Sequence, residues 1–433
     1  MLKLLSFDKR FDRADGVYLW DKDGNEYLDF LGGYGSLNLG HNPKKVLEAM
    51  AKIDNKPNIL QASLNPLSGV LGENLAKITP VGLKNTFLCN SGAEAVEGAL
   101  KLARKATGKT NFIYCEGSFH GKTLGSLSVS GRDKYKRGFG PLIPGCKEIS
   151  FGDIKELEDV FKKDYDDIAA FILEPIKGEG GIIVPPEGYL REVRRLCDEY
   201  EILMIADEIQ TGLGRTGKMF ACEKEGVSPD IMCIAKSLGG GVMPIGAVIT
   251  TEKIWKGAYG KFEEALLHTS TFGGNTRACA AAIATLEEIV SKDLPKEAQE
   301  KGDYLMNKMV GLKEKHPLLK DVRGRGLLIG VEFNTLEKSM LDRLSRGAAS
   351  KLSEEYTGAL IAESLQNDFG IITAYTLNNP NVIRLEPPLT VSYSVLDRVV
   401  SAIDKILDKN ASFINLATKS SKKFLKNMIK GSS

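Results

Sequence analysis

Ile231-Met232-Cys233-Ile234-Ala235-Lys236 is an unbroken apolar run closed by a lysine. Its reading decides the fold. A strand that is apolar at every position, not at alternate ones, is covered on both faces. Leu203-Met204-Ile205-Ala206 is a second such run, closed by Asp207-Glu208, and Ala169 to Leu173 is a third, closed by Glu174-Pro175. Phe112 to Cys115 reads as a short strand of the same kind. Between two of these runs, Glu187 to Glu201 reads as a helix, with Leu190, Val193, Arg194 and Cys197 at helical spacing. Buried strands alternating with helices predict an α/β fold with a parallel sheet. Ligands of such sheets bind at the carboxyl ends of the strands, where Asp207 and Lys236 both stand.

The flanks read differently. Gly16 to Phe30 reads as a hairpin turning at Asp23-Gly24. Helices and short strands from about residue 300 onward suggest a smaller α+β unit. We therefore expect an N-terminal segment over 1–65, a large domain over 66–300 and a C-terminal small domain over 301–433. Asn334 to Thr357 is polar and charged and reads as an inserted surface helix or loop. Lys422, Lys423, Lys426 and Lys430 alternate with apolar residues at helical spacing. That basic tail reads as a helix packed on its own domain or frayed in solvent, with membrane or partner binding as the alternative.

The chain has 433 residues, 58 basic and 56 acidic side chains and 45 glycines. A formal charge of +2 gives no case for nucleic acid. The glycines have no three-residue period, which excludes collagen. No apolar run is long enough for a transmembrane helix, and the N-terminus mixes charges too early for a signal peptide. Seven scattered cysteines without a Cys-x-x-Cys pair point to neither disulfides nor a metal site. A reducing cytoplasm is expected.

Four groups could carry chemistry. Ser91-Gly92-Ala93 follows a strand expected over Thr86–Cys89 and opens a helix expected over Glu94–Ala106. Backbone amides at a helix N-terminus form a ready anion site, although serine is also a routine N-cap. Lys236, followed by Ser-Leu-Gly-Gly-Gly, is either an exposed lysine at a strand end or a desolvated amine that attacks carbonyls. Asp207 either caps and pairs locally or holds a proton on a heterocyclic nitrogen, with the Gln210 amide close by in sequence. Phe119-His120 offers flat rings for stacking. A phosphate cradle, a stacking aromatic, an acid for a ring nitrogen and a Schiff-base lysine together meet the needs of pyridoxal phosphate.

The sequence at this point resembles the class III (ω-amino acid type) aminotransferases. The matching segments include DFLGGYGSLNLGH at 29–41, CNSGAEAVE at 89–97, FHGKTLG at 119–125 and EPIKGEGG at 174–181. ADEIQTGLGRTG at 206–217, AKSLGGGVMPIGA at 235–247, TSTFGGN at 269–275 and IRLEPPL at 383–389 continue the series. The resemblance implies fold type I, a large domain with a mostly parallel seven-stranded sheet flanked by helices, and a small α+β domain from both chain ends. It implies pyridoxal 5'-phosphate as cofactor, and a homodimer or a dimer of dimers. Lys236 resembles the lysine that carries the cofactor and moves the Cα proton, and Asp207 the partner of the pyridine nitrogen. Gln210 matches the residue near the phenolic oxygen, and Phe119 the stacking aromatic with His120 beside it. Ser91, Gly92 and Ala93 match the phosphate loop, although many relatives have threonine where Ala93 stands. Thr271 resembles a phosphate ligand donated by the partner subunit. Arg384 resembles the arginine that takes the α-carboxylate, and Glu179 the gate that pairs with it when the amine has none.

Within the class, RTGKMFACE at 215–223 and the 383–389 segment resemble the putrescine (diamine) aminotransferases. Lys122 stands where ornithine and acetylornithine enzymes usually carry arginine, which favours the diamine branch, whereas Tyr34 resembles the ornithine enzymes. The expected reaction moves a terminal amine of putrescine or cadaverine to 2-oxoglutarate. Ornithine, acetylornithine or 4-aminobutyrate as donor, or a racemase or aminomutase of the same fold, are the alternatives.

Overall fold

In the computed structural model, residues 9–60, 63–335 and 348–410 are described. Strands β1 (Phe11–Asp15), β2 (Tyr18–Asp21) and β3 (Glu26–Asp29) form an antiparallel meander. The expected hairpin is present, with Gly24 at φ 81° in its turn. Seven strands follow: β4 (Leu83–Cys89), β5 (Asn111–Cys115), β6 (Cys146–Ile149), β7 (Ile168–Leu173), β8 (Leu203–Asp207), β9 (Ile231–Ile234) and β10 (Gly246–Thr251). They make one sheet in the order β4-β10-β9-β8-β7-β5-β6. Strand β10 runs antiparallel to both of its neighbours, and the rest are parallel. All six residues of β7 and all four of β9 are buried, as their unbroken apolar sequences require.

Helices cover this sheet. Gly92–Thr107 and Tyr189–Glu199 bury their apolar stripes against it. The C-terminal part adds β11 (Leu319–Arg325), β12 (Leu328–Phe333), β13 (Ile371–Ile372) and β14 (Val382–Leu385). Strands β11, β12 and β14 form their own antiparallel sheet, while β13 pairs parallel with β3. The two flanks of the chain therefore meet in one small sheet.

The polar segment departs from expectation. Residues 336–347 lie outside the described residues, as does the basic tail. From Ala348 the chain is a helix that runs on to Phe369. Ser353, Thr357 and Gly358 on it are buried, so this part is not a surface insertion. Its polar residues hide the packing. Thr357 returns its hydroxyl to the Ser353 carbonyl at 2.6 Å, and Gly358 lets Pro380 approach so closely that a Cβ would lie 2.3 Å from its carbonyl oxygen.

No helix among the described residues is long and apolar enough to cross a membrane. All seven cysteines are free thiols.

One buried guanidinium ties three parts of the chain together. Arg215 donates to Asn38 Oδ1 at 2.6 Å, to the Pro387 carbonyl at 2.6 Å and to the Leu327 carbonyl at 3.0 Å. Among the described residues no carboxylate pairs with it at close range, and burial pushes it down to about 10. Arg215→Leu leaves three buried acceptors unsatisfied. We expect a loss of about 3 kcal/mol or more in stability, read as a lower urea midpoint by circular dichroism.

Candidate active site

The parallel register places the chemistry. Strand β9 lies beside β8 with Asp207 opposite Cys233, so Lys236 emerges just past the same edge of the sheet. The chain turns sharply there. Lys236 has φ 42°, unusual for a residue with a side chain, and opens the 3₁₀ turn Lys236–Gly239. Backbone strain of this kind is tolerated where surrounding packing enforces it.

Ser91, Gly92, Ala93, Phe119, His120, Asp207, Gln210 and Lys236 line one cavity of about 570 Å³. Ser91 caps the helix Gly92–Thr107, accepting from the Glu94 amide at 3.2 Å. Gly92 and Ala93 are its first two residues, whose amides have no intrahelical acceptor. A Cβ on Gly92 would lie 2.9 Å from Ile209, which is why this position has none. His120 does more than sit beside Phe119. Its Nδ1 lies 2.6 Å from Asp207 Oδ2, and both side chains are buried. The other Asp207 oxygen accepts from the Ile209 amide at 3.1 Å. The carboxylate is thus fixed from two sides. His120 Nε2 is buried without a hydrogen-bond partner.

Arg384 and Glu179 also meet as expected. Glu179 Oε2 accepts from Arg384 Nη2 at 2.6 Å and from the Leu377 amide at 2.9 Å. Burial pushes the Glu179 carboxyl up, but Arg384 outweighs it and the net shift is down. Burial likewise pushes Arg384 down, and Glu179 and Glu386 carry it above its usual value. The Tyr34 ring lies 5.1 Å from the same guanidinium, and 44% of that residue is exposed. Lys122 is exposed and sits 5.9 Å from the Phe119 ring and 4.9 Å from the Tyr135 ring. Burial lowers the Lys236 amine, although Glu386 and Glu179 oppose that shift. Thr271 is the exception. It is exposed and is not among the residues lining the cavity.

Sequence reasoning missed two buried acids. Glu174, at the end of β7, accepts from the Phe119 and Gly178 amides at 2.9 Å each and reaches the cavity. Glu386, just past β14, accepts from Gln210 Nε2 at 2.7 Å. Both lie in segments that carried the family resemblance, and an acid directly after a buried strand was the available signal.

The whole chain can now be set beside known proteins. The Aminotransferase class-III family model matches residues 6–407. The chain belongs to the class-III aminotransferases. The ornithine aminotransferase of Toxoplasma gondii is 32% identical over 93% of this chain and 92% of its own, with a TM-score of 0.83. The acetylornithine aminotransferase of Elizabethkingia anophelis is 33% identical over 93% and 94%, with a TM-score of 0.76. An amine transaminase from an uncultivated Pseudomonas species, solved with pyridoxal phosphate bound as the internal aldimine, is 30% identical over 93% and 96%, with a TM-score of 0.83. This aminotransferase has fold type I and depends on pyridoxal 5'-phosphate. As in its family, an amine donor and an oxo-acid acceptor are its substrates.

Burial pushes Glu174 up to about 7 from 4.5, with Asp207 adding to the shift and His120 and the two amides opposing it. The folded protein therefore holds this proton more tightly than the unfolded chain. The stability it contributes is full below about pH 4.5 and is lost as pH rises through about 7. In Glu174→Gln that loss should disappear. Urea midpoints of both proteins across this range check it, and parallel pH dependences would contradict it.

Proposed function

We propose that this aminotransferase moves a terminal amino group from a diamine, putrescine or cadaverine, to 2-oxoglutarate, giving an aminoaldehyde and glutamate. The observation that carries the reading is the buried contact between Glu179 and Arg384 at 2.6 Å. With that contact made, the arginine is masked and the cleft suits an amine whose reacting carbon bears no carboxylate. When Glu179 turns away, the planar fork of Arg384 suits the α-carboxylate of an oxo acid.

The cavity fits pyridoxal phosphate. The amides of Gly92 and Ala93, with the Ser91 hydroxyl, suit a phosphate dianion at a helix N-terminus. Phe119 offers a ring face. Asp207, held by His120 and the Ile209 amide, presents a fixed carboxylate that keeps a proton on a ring nitrogen. Gln210 has a polar amide for the phenolic oxygen. When bound, the cofactor supplies the carbonyl that takes up the amino group and a sink for the electron pair left at carbon. Lys236 then does the protein's share of the proton transfer, removing a proton at carbon with its Nζ and returning it. Burial of that amine favours the neutral form this needs.

A second copy of the chain is the proposed partner, as a homodimer or a dimer of dimers. The segment 262–272 exposes Phe262, Leu266, Leu267 and Phe272, more apolar surface than one short segment usually leaves bare. Thr271 stands in that segment, where a partner's phosphate would reach it. Free thiols throughout the described chain support a cytoplasmic setting.

Ornithine is the second reading. Tyr34 over Arg384 favours it, and two of the similar structures are ornithine and acetylornithine aminotransferases.

Lys236→Ala should lose the visible absorbance of the lysine-bound cofactor and turnover with every amine, and a variant that still transaminates would falsify the assignment. Glutamate formation from 2-oxoglutarate over a panel of putrescine, cadaverine, ornithine, acetylornithine and 4-aminobutyrate decides the donor. We expect the highest kcat/KM with the two diamines; a higher value for ornithine sinks the first reading in favour of the second. Activity without any oxo acid would point instead to an isomerase.

A further inference from the structure

Arg384 is flanked by two carboxylates, and only one has been given a role. Glu386 Oε1 lies 3.6 Å from Arg384 Nη1, and both side chains are fully buried. The same oxygen accepts from Gln210 Nε2 at 2.7 Å, while Oε2 has no hydrogen-bond partner. Glu386 also faces Lys236 and Arg215 as their counter-charge. Its position is built in. The Glu386 amide donates to the Phe30 carbonyl at 2.8 Å, and the turn Gly32–Gly35 packs on it. A Cβ on Gly32 would lie 2.3 Å from the Glu386 carbonyl oxygen, and one on Gly35 3.0 Å from Oε2. Glu179, by contrast, is held by a loop after β7 and shares one oxygen between Arg384 and the Leu377 amide.

We propose that Glu386 is a positioning residue that limits how tightly the site holds a carboxylate, staying on Arg384 as a permanent counter-charge while Glu179 and an incoming carboxylate replace one another. This rests on the reading of Arg384 and Glu179 given above. With Glu179 in place, two carboxylates face one guanidinium. A substrate carboxylate that displaces Glu179 restores that balance, so the charge of the cleft is the same for both substrates. Without Glu386, the opened site would carry an uncompensated guanidinium. It would hold an incoming carboxylate more tightly.

The test is binding of glutarate, which has the carboxylates of 2-oxoglutarate but no carbonyl to react. Calorimetry on the cofactor-loaded wild type, E386Q and E386D is read beside kcat and KM for putrescine and 2-oxoglutarate. E386Q should bind glutarate at least about fivefold more tightly, the lower end of coupling between charged sites. Its KM for 2-oxoglutarate should fall by a similar factor, with kcat changed less. E386D keeps the charge but withdraws it by one methylene, and should move both values in the same direction by a smaller factor; it carries the test if E386Q does not fold. Glutarate affinity within twofold of wild type in the variants overturns the proposal, as does an equal loss in both half-reactions, which marks a structural role. If no protein transaminates any amine, the functional reading fails, yet the glutarate comparison still decides the place of Glu386.

Discussion

Charges placed out of reach of water must compensate one another, and this constraint organises the centre of the aminotransferase. In the mechanism proposed above, Lys236 needs an amine neutral enough to take a proton. Burial supplies that, and the same burial makes any charge nearby costly unless other groups satisfy it. The contacts are close: Glu179 pairs with Arg384 at 2.6 Å, and Asp207 Oδ2 lies 2.6 Å from His120 Nδ1. A lone buried charge costs several kcal/mol; Arg215, without a close carboxylate, is met by three neutral oxygen acceptors instead.

The sheet explains how such a set assembles. Parallel strands deliver their carboxyl ends to one edge: β8 ends there in Asp207, Glu174 directly follows β7, and Lys236 stands just past β9. Each side chain inherits its position from a strand buried on both faces, which is about as rigid a mount as a protein offers. The gate comes from elsewhere. Arg384 and Glu386 belong to β14 and its end, in a separate antiparallel sheet, and Arg215 bolts that sheet to the loop after β8. In the reading proposed above, cofactor chemistry and substrate choice sit on different frameworks that meet at Gln210 and Glu386.

Much of this was legible in the sequence because the strands are apolar throughout and end in charged residues. Ile231 to Lys236 shows both features at once. The cavity residues could be named because their motifs are short and local, each a strand end and a turn. What was hidden depends on contacts distant in sequence. Nothing in Arg-Leu-Glu-Pro-Pro tells that Glu386 is fully buried, since its amide partner is Gln210 and its packing partner is Gly35. The helix from Ala348 was expected on the surface for a related reason: Ser353 and Thr357 look like surface residues, yet both are buried. His120 was expected beside a ring and is instead the clamp on Asp207, a distinction that only geometry makes.

The turn Gly32-Gly33-Tyr34-Gly35 holds four successive residues at positive φ and rests directly on Glu386. It therefore restricts how such an enzyme can change its substrate. A Cβ at 35 would press on the carboxylate beside Arg384, and one at 32 on the backbone carbonyl of the residue that carries it. Positions far apart in the sequence are thus coupled through one contact. A library that varies residues 32–35 and 384–386 together should reach specificities that changing either stretch alone would miss.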